Sequence, residues 1–312
     1  MTAEPDLGPE SGMLAQLTAS RAGRMGIQLL RWGIPLVLLA IIGHRLTRLG
    51  WSEIWAARPV HPGFYLLLVL QFFLQPLGDF LVYRNLWGRA NTPPMKVILR
   101  KRLLNTFMLD YSGEAFFYFW AQARLKLKPG MLLHAIKDSN VLSGGAGLLM
   151  VYLMLLALLA VGGLNVPANL NENGWLYALA GSVPLVLCAV LFLGRRKLTQ
   201  LSTGQIAATF GIHFARSALV LAVEFGLWEL SGALPSAVAS LQFVALRLVV
   251  TRLPLVPNKD LIFLGAGIAA AGMASLSVTP VATVLVILAA ADLILAASVA
   301  SFAWLLDREK HQ

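Results

Sequence analysis

Charged side chains crowd one stretch of a sequence that is otherwise strongly apolar. The stretch holds Arg100, Lys101, Arg102, Asp110, Glu114, Arg124, Lys126, Lys128, Lys137 and Asp138. Long apolar runs, 66–74 and 148–159, lie on either side of it. Because charge at membrane depth is costly and usually functional, these side chains are candidates for binding a charged group.

Two kinds of chemistry suit this cluster. Arg and Lys side chains bind phosphate, and the guanidinium of Arg does so bidentately. Asp110 and Glu114 suit general acid/base work or, alternatively, the neutralisation of Arg100, Arg102 or Arg124. A buried carboxylate beside cations stays ionised and acts as a fixed charge, which favours the second interpretation.

Further charges lie in the apolar segments on both sides of the cluster. Asp79 and Asp292 are each surrounded by apolar residues and have a rival role as proton carriers. Arg216 and Arg247 also lie within apolar segments. The predicted substrate-binding residues are Arg102, Asp110, Glu114, Arg124, Lys137, Asp138, Arg216, Arg247, Lys259 and Asp260.

Motifs for catalysis or for cofactor binding are missing from the sequence. It has no His-Glu-x-x-His, Gly-x-Ser-x-Gly or Walker sequence, the usual markers of zinc, serine-hydrolase and nucleotide chemistry. The five histidines show no metal spacing, and Cys188 is the one cysteine. We therefore expect no catalytic residue, no cofactor and no metal.

Composition places the chain in a membrane. Of its 312 residues 58% are hydrophobic and 13% are charged, whereas soluble domains have about 25% charged residues. The net charge of +10 suits cytoplasmic loops and anionic lipid headgroups. Nucleic acid is therefore not an expected partner.

The predicted fold is all-α, a polytopic membrane helix bundle with about eight spanning segments and one or two re-entrant helices. The spans are expected at about 27–46, 63–87, 131–161, 175–193, 206–230, 236–250, 261–276 and 281–306. Residues 93–128 have basic ends and a short apolar middle, a pattern typical of a segment that enters and leaves on one side. The span at 236–250 is short, so a tilted or re-entrant helix is the alternative there. One transmembrane domain, 23–306, thus lies between a disordered tail, 1–22, and a polar tail, 307–312.

Loop charges predict the orientation of the bundle. Arg195-Arg196-Lys197 is a strong cytoplasmic signal, while the loop at 165–173 lacks Lys and Arg. We therefore expect both termini in the cytoplasm. The expected location is the bacterial inner membrane.

A weak internal repeat relates the two halves of the sequence. Arg102-Leu103 and Arg247-Leu248 are 145 residues apart, and Thr106 and Thr251 keep the same spacing. Matching interrupted segments in two halves are the usual indication of a transporter's central site. We therefore expect inverted-repeat halves at about 60–165 and 200–306.

The order of these elements resembles a known family. The string from Asn105 to Glu114 ends in Ser-Gly-Glu, continues through an aromatic run to Arg124, and a second Pro-rich break follows at 253–257. This arrangement resembles the lysylphosphatidylglycerol synthetase transmembrane (flippase-like) family over about residues 25–306. The resemblance implies a lipid-translocating domain without the soluble aminoacyl-transferase domain.

Three functions remain open at this point. The first is a flippase-like transporter that moves an anionic or glycosylated lipid between leaflets. The second is a membrane enzyme for a lipid-linked substrate, with Asp110, Glu114 or His134 as the base. The third is a non-catalytic scaffold for envelope-synthesis proteins. The expected partners are membrane lipids that carry phosphate and, for the scaffold, those proteins; a homodimer is left open.

Overall fold

The computed structural model describes residues 50–107, 111–164, 199–252 and 259–308, together with residues 40, 43, 44, 46–48 and 182. Within these ranges the regular structure is helical and contains no strand, so the all-helical prediction is confirmed for this part of the chain. Its α-helices are α1 (Trp51–Ala56), α2 (Pro62–Trp87), α3 (Met95–Phe107), α4 (Ser112–Arg124), α5 (Pro129–Ala160), α6 (Thr203–Ser231), α7 (Ala237–Thr251), α8 (Lys259–Met273) and α9 (Val278–Arg308).

Four of the described helices are long and apolar enough to cross a membrane. They are α2, α5, α6 and the Val278–Val299 part of α9, and each exceeds the roughly 20 residues that a crossing needs. They match the spans expected at 63–87, 131–161, 206–230 and 281–306. The spans expected at 27–46 and 175–193 lie almost entirely outside the described residues.

The remaining expected segments form two pairs of short helices. The segment at 93–128 divides into α3 and α4, with 13 residues each. The segments at 236–250 and 261–276 become α7 and α8, with 15 residues each. A 15-residue helix is about 22 Å long, against a hydrocarbon core of about 30 Å. These last two segments, predicted as crossings, are therefore helices shorter than a crossing.

The described helices repeat one order of lengths. From α2 to α5 the lengths are 26, 13, 13 and 32 residues. From α6 to α9 they are 29, 15, 15 and 31 residues. Each of the two expected halves thus contains one series of a long helix, two short helices and a long helix.

Local sequence fixes where several of these helices begin. Ser202 accepts a hydrogen bond from the backbone of Gln205 while the Gln205 side chain accepts from Ser202 N–H, a capping box that starts α6. Ser236 caps α7 by accepting from Ala239 N–H. Pro129 occupies the first turn of α5, where its missing N–H costs nothing.

Two apolar clusters hold the helices together, with a polar layer between them. On α2, Phe64 and Leu68 belong to one cluster, and Val82 and Tyr83 belong to the other. Asp79 lies between these two groups and is buried, with 8% of its surface exposed. One face of α2 therefore looks into the protein.

The long helix α5 shows the same division along its length. Leu132 packs in one apolar cluster and Leu158 in the other, with Ser139 and Ser143 between them. Ser139 contacts His213 of α6 at 3.1 Å between hydroxyl and ring nitrogen. Because these polar positions face one another across α2, α5 and α6, the bundle has a polar layer about halfway along its long helices.

Candidate functional site

Lys101 of α3 lies between two carboxylates from neighbouring helices. Its Nζ is 2.7 Å from Oδ2 of Asp79 on α2 and 3.3 Å from Oε1 of Glu114 on α4. All three side chains are less than 15% exposed, and the ammonium faces the rings of Tyr83 and Phe117. We call Asp79, Lys101 and Glu114 the first ion triad. In such apolar surroundings charge-assisted hydrogen bonds are strong and the loss of one partner is costly.

Asp79 also binds a second cation. Arg216 of α6 donates from Nη1 to Oδ1 of Asp79 and from Nη2 to Oγ of Ser143 on α5, both at 3.1 Å. The stem of Arg216 lies so close to Gly78 that a Cβ at that position would collide with it. Both oxygens of the Asp79 carboxylate therefore accept from cationic donors.

The Ser-Gly-Glu string holds the corner between α3 and α4. Ser112 donates from Oγ to the carbonyl of Leu104 at 2.8 Å, and Gly113 N–H donates to Oδ1 of Asn105 at 2.7 Å. Asn105 in turn donates from Nδ2 to Oε2 of Glu114 at 2.9 Å. The corner thus fixes the Glu114 carboxylate beside Lys101.

Gly113 is the position where this corner tolerates no side chain. A Cβ there would collide with the carbonyl of Lys101 and the side chain of Asn105. We expect Gly113→Ala to lower the free energy of unfolding by about 1–3 kcal/mol, the usual cost of overpacking, as measured by thermal unfolding in detergent. Gly130→Ala is the matched control, because Gly130 is also the second residue of its helix and a Cβ there meets open space. Equal stability of the two variants would contradict the close approach.

Arg247 of α7 lies between two carboxylates in the second half. Its Nη2 is 3.3 Å from Oδ1 of Asp260 on α8, and its Nη1 is 3.6 Å from Oε1 of Glu224 on α6. The guanidinium faces the ring of Phe263 at 5.4 Å. Glu224 is 2% exposed, whereas the side chain of Asp260 is 45% exposed. We call Glu224, Arg247 and Asp260 the second ion triad.

The two triads are built from equivalent positions. In each, a cation on the first short helix pairs with one carboxylate on the preceding long helix and another on the second short helix. The cation also faces a phenylalanine that follows the second of these carboxylates by three residues. The equivalent pairs are Lys101 and Arg247, Glu114 and Asp260, and Phe117 and Phe263, each 146 residues apart, and Asp79 and Glu224, 145 apart. By its contacts, therefore, Lys101 and not Arg102 is the counterpart of Arg247.

Arg102 instead connects the first short helix with the last long one. Its Nη2 is 2.6 Å from Oδ1 of Asp292 on α9, its Nη1 is 3.4 Å from Oε1 of Gln75, and its guanidinium faces Phe72 at 4.4 Å. Asp292 also acts electrostatically on Arg247. Arg102 and Arg247 therefore share the influence of one carboxylate although they come from different halves.

Several predicted site residues lie away from the triads. Arg124 is exposed at the end of α4. Lys137 is exposed and pairs at 3.1 Å with the buried Asp138, which accepts a 2.5 Å hydrogen bond from Thr199. Lys259 is half-buried at the start of α8, and Asp110 lies outside the described residues. Of the other predicted residues, Glu114 and Arg216 contact members of the first triad, Arg247 and Asp260 belong to the second, and Arg102 pairs with Asp292.

The counter-ion of Glu114 differs from the one that the sequence predicts. The expected partners were Arg100, Arg102 or Arg124, whereas the observed partner is Lys101. The reason is the buried face of α3. Val97 and Ile98 are buried and lie four and three residues before Lys101, which puts all three on one face. Lys101 is thus the basic residue on the buried face of α3.

Asp79, Glu224 and Asp292 were also left out of the predicted binding set. Each is an acidic residue inside a long apolar helix, and that isolation was the available signal. Such residues almost always face the bundle interior and pair with another polar group.

The ionic groups of the site are arranged as pairs of carboxylates and cations. Among the described residues, no group of three or more His, Cys, Asp or Glu side chains could hold a metal ion. Comparison of the chain with protein-family models, curated proteins and solved structures gives no match. The function is therefore inferred from the geometry of the two triads and of Arg102.

Proposed function

We propose that this chain is an integral membrane transporter that moves an anionic or phosphate-bearing lipid between leaflets. The observation that carries the proposal is a pair of half-buried arginines, each with one shielded N–H that makes no hydrogen bond. Nε of Arg102 and Nη1 of Arg247 are shielded from solvent and have no hydrogen-bond partner among the described residues. A buried N–H without an acceptor is costly, so a phosphate oxygen would be a favourable partner for both.

The helix pattern supports transport across the membrane. In this proposal the short pairs α3–α4 and α7–α8 are re-entrant, and the long helices α2, α5, α6 and α9 cross. With the crossings expected at 27–46 and 175–193 the chain then spans six times, two fewer than the sequence predicts. A cytoplasmic N-terminus makes the two short pairs enter from opposite sides. That is the inverted-repeat arrangement of many transporters, whose sites lie near the bilayer midplane.

The fixed carboxylates give the arginines a way to exchange partners. Asp292 binds Arg102 at 2.6 Å, and Asp260 binds Arg247 at 3.3 Å. A headgroup phosphate entering between the halves would compete with both carboxylates for guanidinium donors, and planar bidentate contacts favour phosphate binding by Arg. When the lipid leaves, the carboxylates take the donors back, which avoids an uncompensated buried charge.

The contacts of Glu114 favour a transporter over an enzyme. Both of its carboxylate oxygens are engaged, one by Lys101 and one by Asn105. These contacts make Glu114 part of the framework that positions Lys101 and the corner between α3 and α4. His134 is half-buried on α5, and Asp110 lies outside the described residues.

Leaflet exchange in reconstituted vesicles tests the proposal. Fluorescent phosphatidylglycerol and its phosphatidylcholine analogue are placed in both leaflets, and outer-leaflet quenching reports exchange. We expect accelerated exchange of the anionic lipid in vesicles that contain the protein. Chemical conversion of the lipid without exchange would point to an enzyme instead, and neither result would favour a scaffold.

Glu114→Gln is expected to abolish exchange while the protein still accumulates in the membrane. The amide keeps the shape of the side chain but loses the charge that holds Lys101 beside Asp79. Glu53→Gln on α1 removes an exposed carboxylate and should leave exchange unchanged. Equal exchange by both variants would show that the Glu114 charge is not required.

A further inference from the structure

The two ion triads differ in how completely their long-helix carboxylate is neutralised. Asp79 accepts hydrogen bonds from two cations, Lys101 at 2.7 Å and Arg216 at 3.1 Å. Its counterpart Glu224 has one cation, Arg247, at 3.6 Å, which is beyond hydrogen-bonding distance. Arg247 also forms an ion pair with Asp260. Both triads thus have two carboxylates around one cation, but in the first half Arg216 supplies a second cation.

Glu224 is nevertheless as deeply buried as any charged group in the described chain. It is 2% exposed, and its Oε1 has no hydrogen-bond partner among the described residues. One turn further along α6, the indole N–H of the buried Trp228 is also without a partner, as is the hydroxyl of the buried Ser240 on α7. An ionised carboxylate in such surroundings is strongly disfavoured, whereas a protonated one is neutral and can itself donate.

We propose that Glu224 is a proton-binding site, and that its protonation releases Arg247 for the lipid headgroup. The coupling to lipid movement rests on the transport function proposed above, whereas the proton site itself does not. In one state the Glu224 carboxylate is ionised and holds Arg247 together with Asp260. In the other, a proton taken from bulk water neutralises Glu224, and Arg247 keeps Asp260 as its one carboxylate.

The surroundings of Glu224 on each packed helix support this assignment. On α7 it faces Arg247, which also pairs with Asp260 of α8. Asp292 of α9 pairs with Arg102 of α3 and acts electrostatically on Arg247. From α2, Leu67 contacts the neighbouring Gly226. Arg216 lies two turns away on α6 itself and is engaged by Asp79 of α2 and Ser143 of α5.

The two aspartates that the sequence put forward as proton carriers are less suited to the role. Asp79 has a cationic donor on each oxygen, and Asp292 holds Arg102 at 2.6 Å. Each of these two carboxylates is thus engaged by a cation at hydrogen-bonding distance. Glu224 has its one cation at 3.6 Å and no hydrogen-bond partner on Oε1 among the described residues, which makes it the better candidate for gaining and losing a proton.

Infrared titration of the purified protein in detergent tests the proton site without any transport. We expect a carboxylic-acid C=O band that is present at low pH and disappears as the pH rises. The band should be missing from Glu224→Gln and retained in Glu229→Gln, which changes an exposed carboxylate on the same helix. A wild-type band that persists in Glu224→Gln would overturn the proposal. Gel filtration and thermal unfolding establish that both variants are folded.

A pH gradient across reconstituted vesicles tests the coupling. We expect the gradient to change the rate of phosphatidylglycerol exchange several-fold in the wild type and in Glu229→Gln, and to leave the rate in Glu224→Gln unchanged. An equal response of Glu224→Gln and the wild type would refute the coupling. If the wild type catalyses no exchange, the proposed transport function fails, while the infrared titration still decides whether Glu224 binds a proton.

Discussion

Lys101→Met is expected to destabilise the protein by about 3–5 kcal/mol, the usual cost of removing one member of a buried ion pair. Lys101 is 6% exposed and is the ammonium that both Asp79 and Glu114 contact. Methionine fills a similar volume but leaves Glu114 without a cation and Asp79 with Arg216 alone. Thermal unfolding of the purified protein in detergent measures the loss.

Two further variants separate charge from packing at this position. Lys96→Met removes an exposed ammonium from the same helix and should be near neutral, since ionic interactions at the exposed surface contribute little. Lys101→Met combined with Glu114→Gln removes one charge of each sign and leaves Asp79 paired with Arg216. The double variant should therefore be more stable than Lys101→Met alone. If instead its loss equals the sum of the two single losses, the residues do not act as one ion triad.

Arg102→Ala and Arg247→Ala are each expected to weaken phosphatidylglycerol binding by roughly tenfold or more. A charge-assisted hydrogen bond contributes about 1.5–3 kcal/mol, and a factor of ten corresponds to about 1.4 kcal/mol. Since both arginines would act on one headgroup, the double variant should bind little more weakly than either single variant. Native mass spectrometry with defined lipid measures the affinities.

Arg89→Ala is the control for these two variants. Arg89 is exposed in the short turn after α2, so its loss should leave lipid binding unchanged. Fold-losses that multiply in the Arg102 and Arg247 double variant would show that the two arginines contact separate lipids. The proposal of a single shared lipid site would then be wrong, whereas the ion pairs observed in the two triads would be unaffected by this result.

The long helices could be predicted from the sequence to within a few residues. The expected span at 63–87 became Pro62–Trp87, and the span at 206–230 became Thr203–Ser231. Long apolar runs bounded by Pro, Gly and polar caps leave little choice of helix ends. The short helices were also found in the right places, but at 15 residues each α7 and α8 are shorter than the crossings expected at 236–250 and 261–276.

The partners within the site could not be predicted because neighbouring residues differ by rotation around a helix. Lys101 and Arg102 are adjacent in sequence, but about 100° apart around α3. Lys101 consequently faces the core of the first half, and Arg102 faces α9. The choice between them depends on which side of α3 packs against α2 and α4. Because Lys101 and not Arg102 is the counterpart of Arg247, these two equivalent residues are 146 positions apart and not the expected 145.

The bond between Arg102 and Asp292 joins residues 190 positions apart in the chain. A ribosome making this protein completes α3 long before α9 exists, since chains are folded from the N-terminus during synthesis. Until then Arg102 lacks this carboxylate, and a lone guanidinium is unfavourable in hydrocarbon. We therefore expect newly made α3 to stay at the membrane surface or beside the insertion machinery until α9, one of the last helices to emerge, supplies the carboxylate.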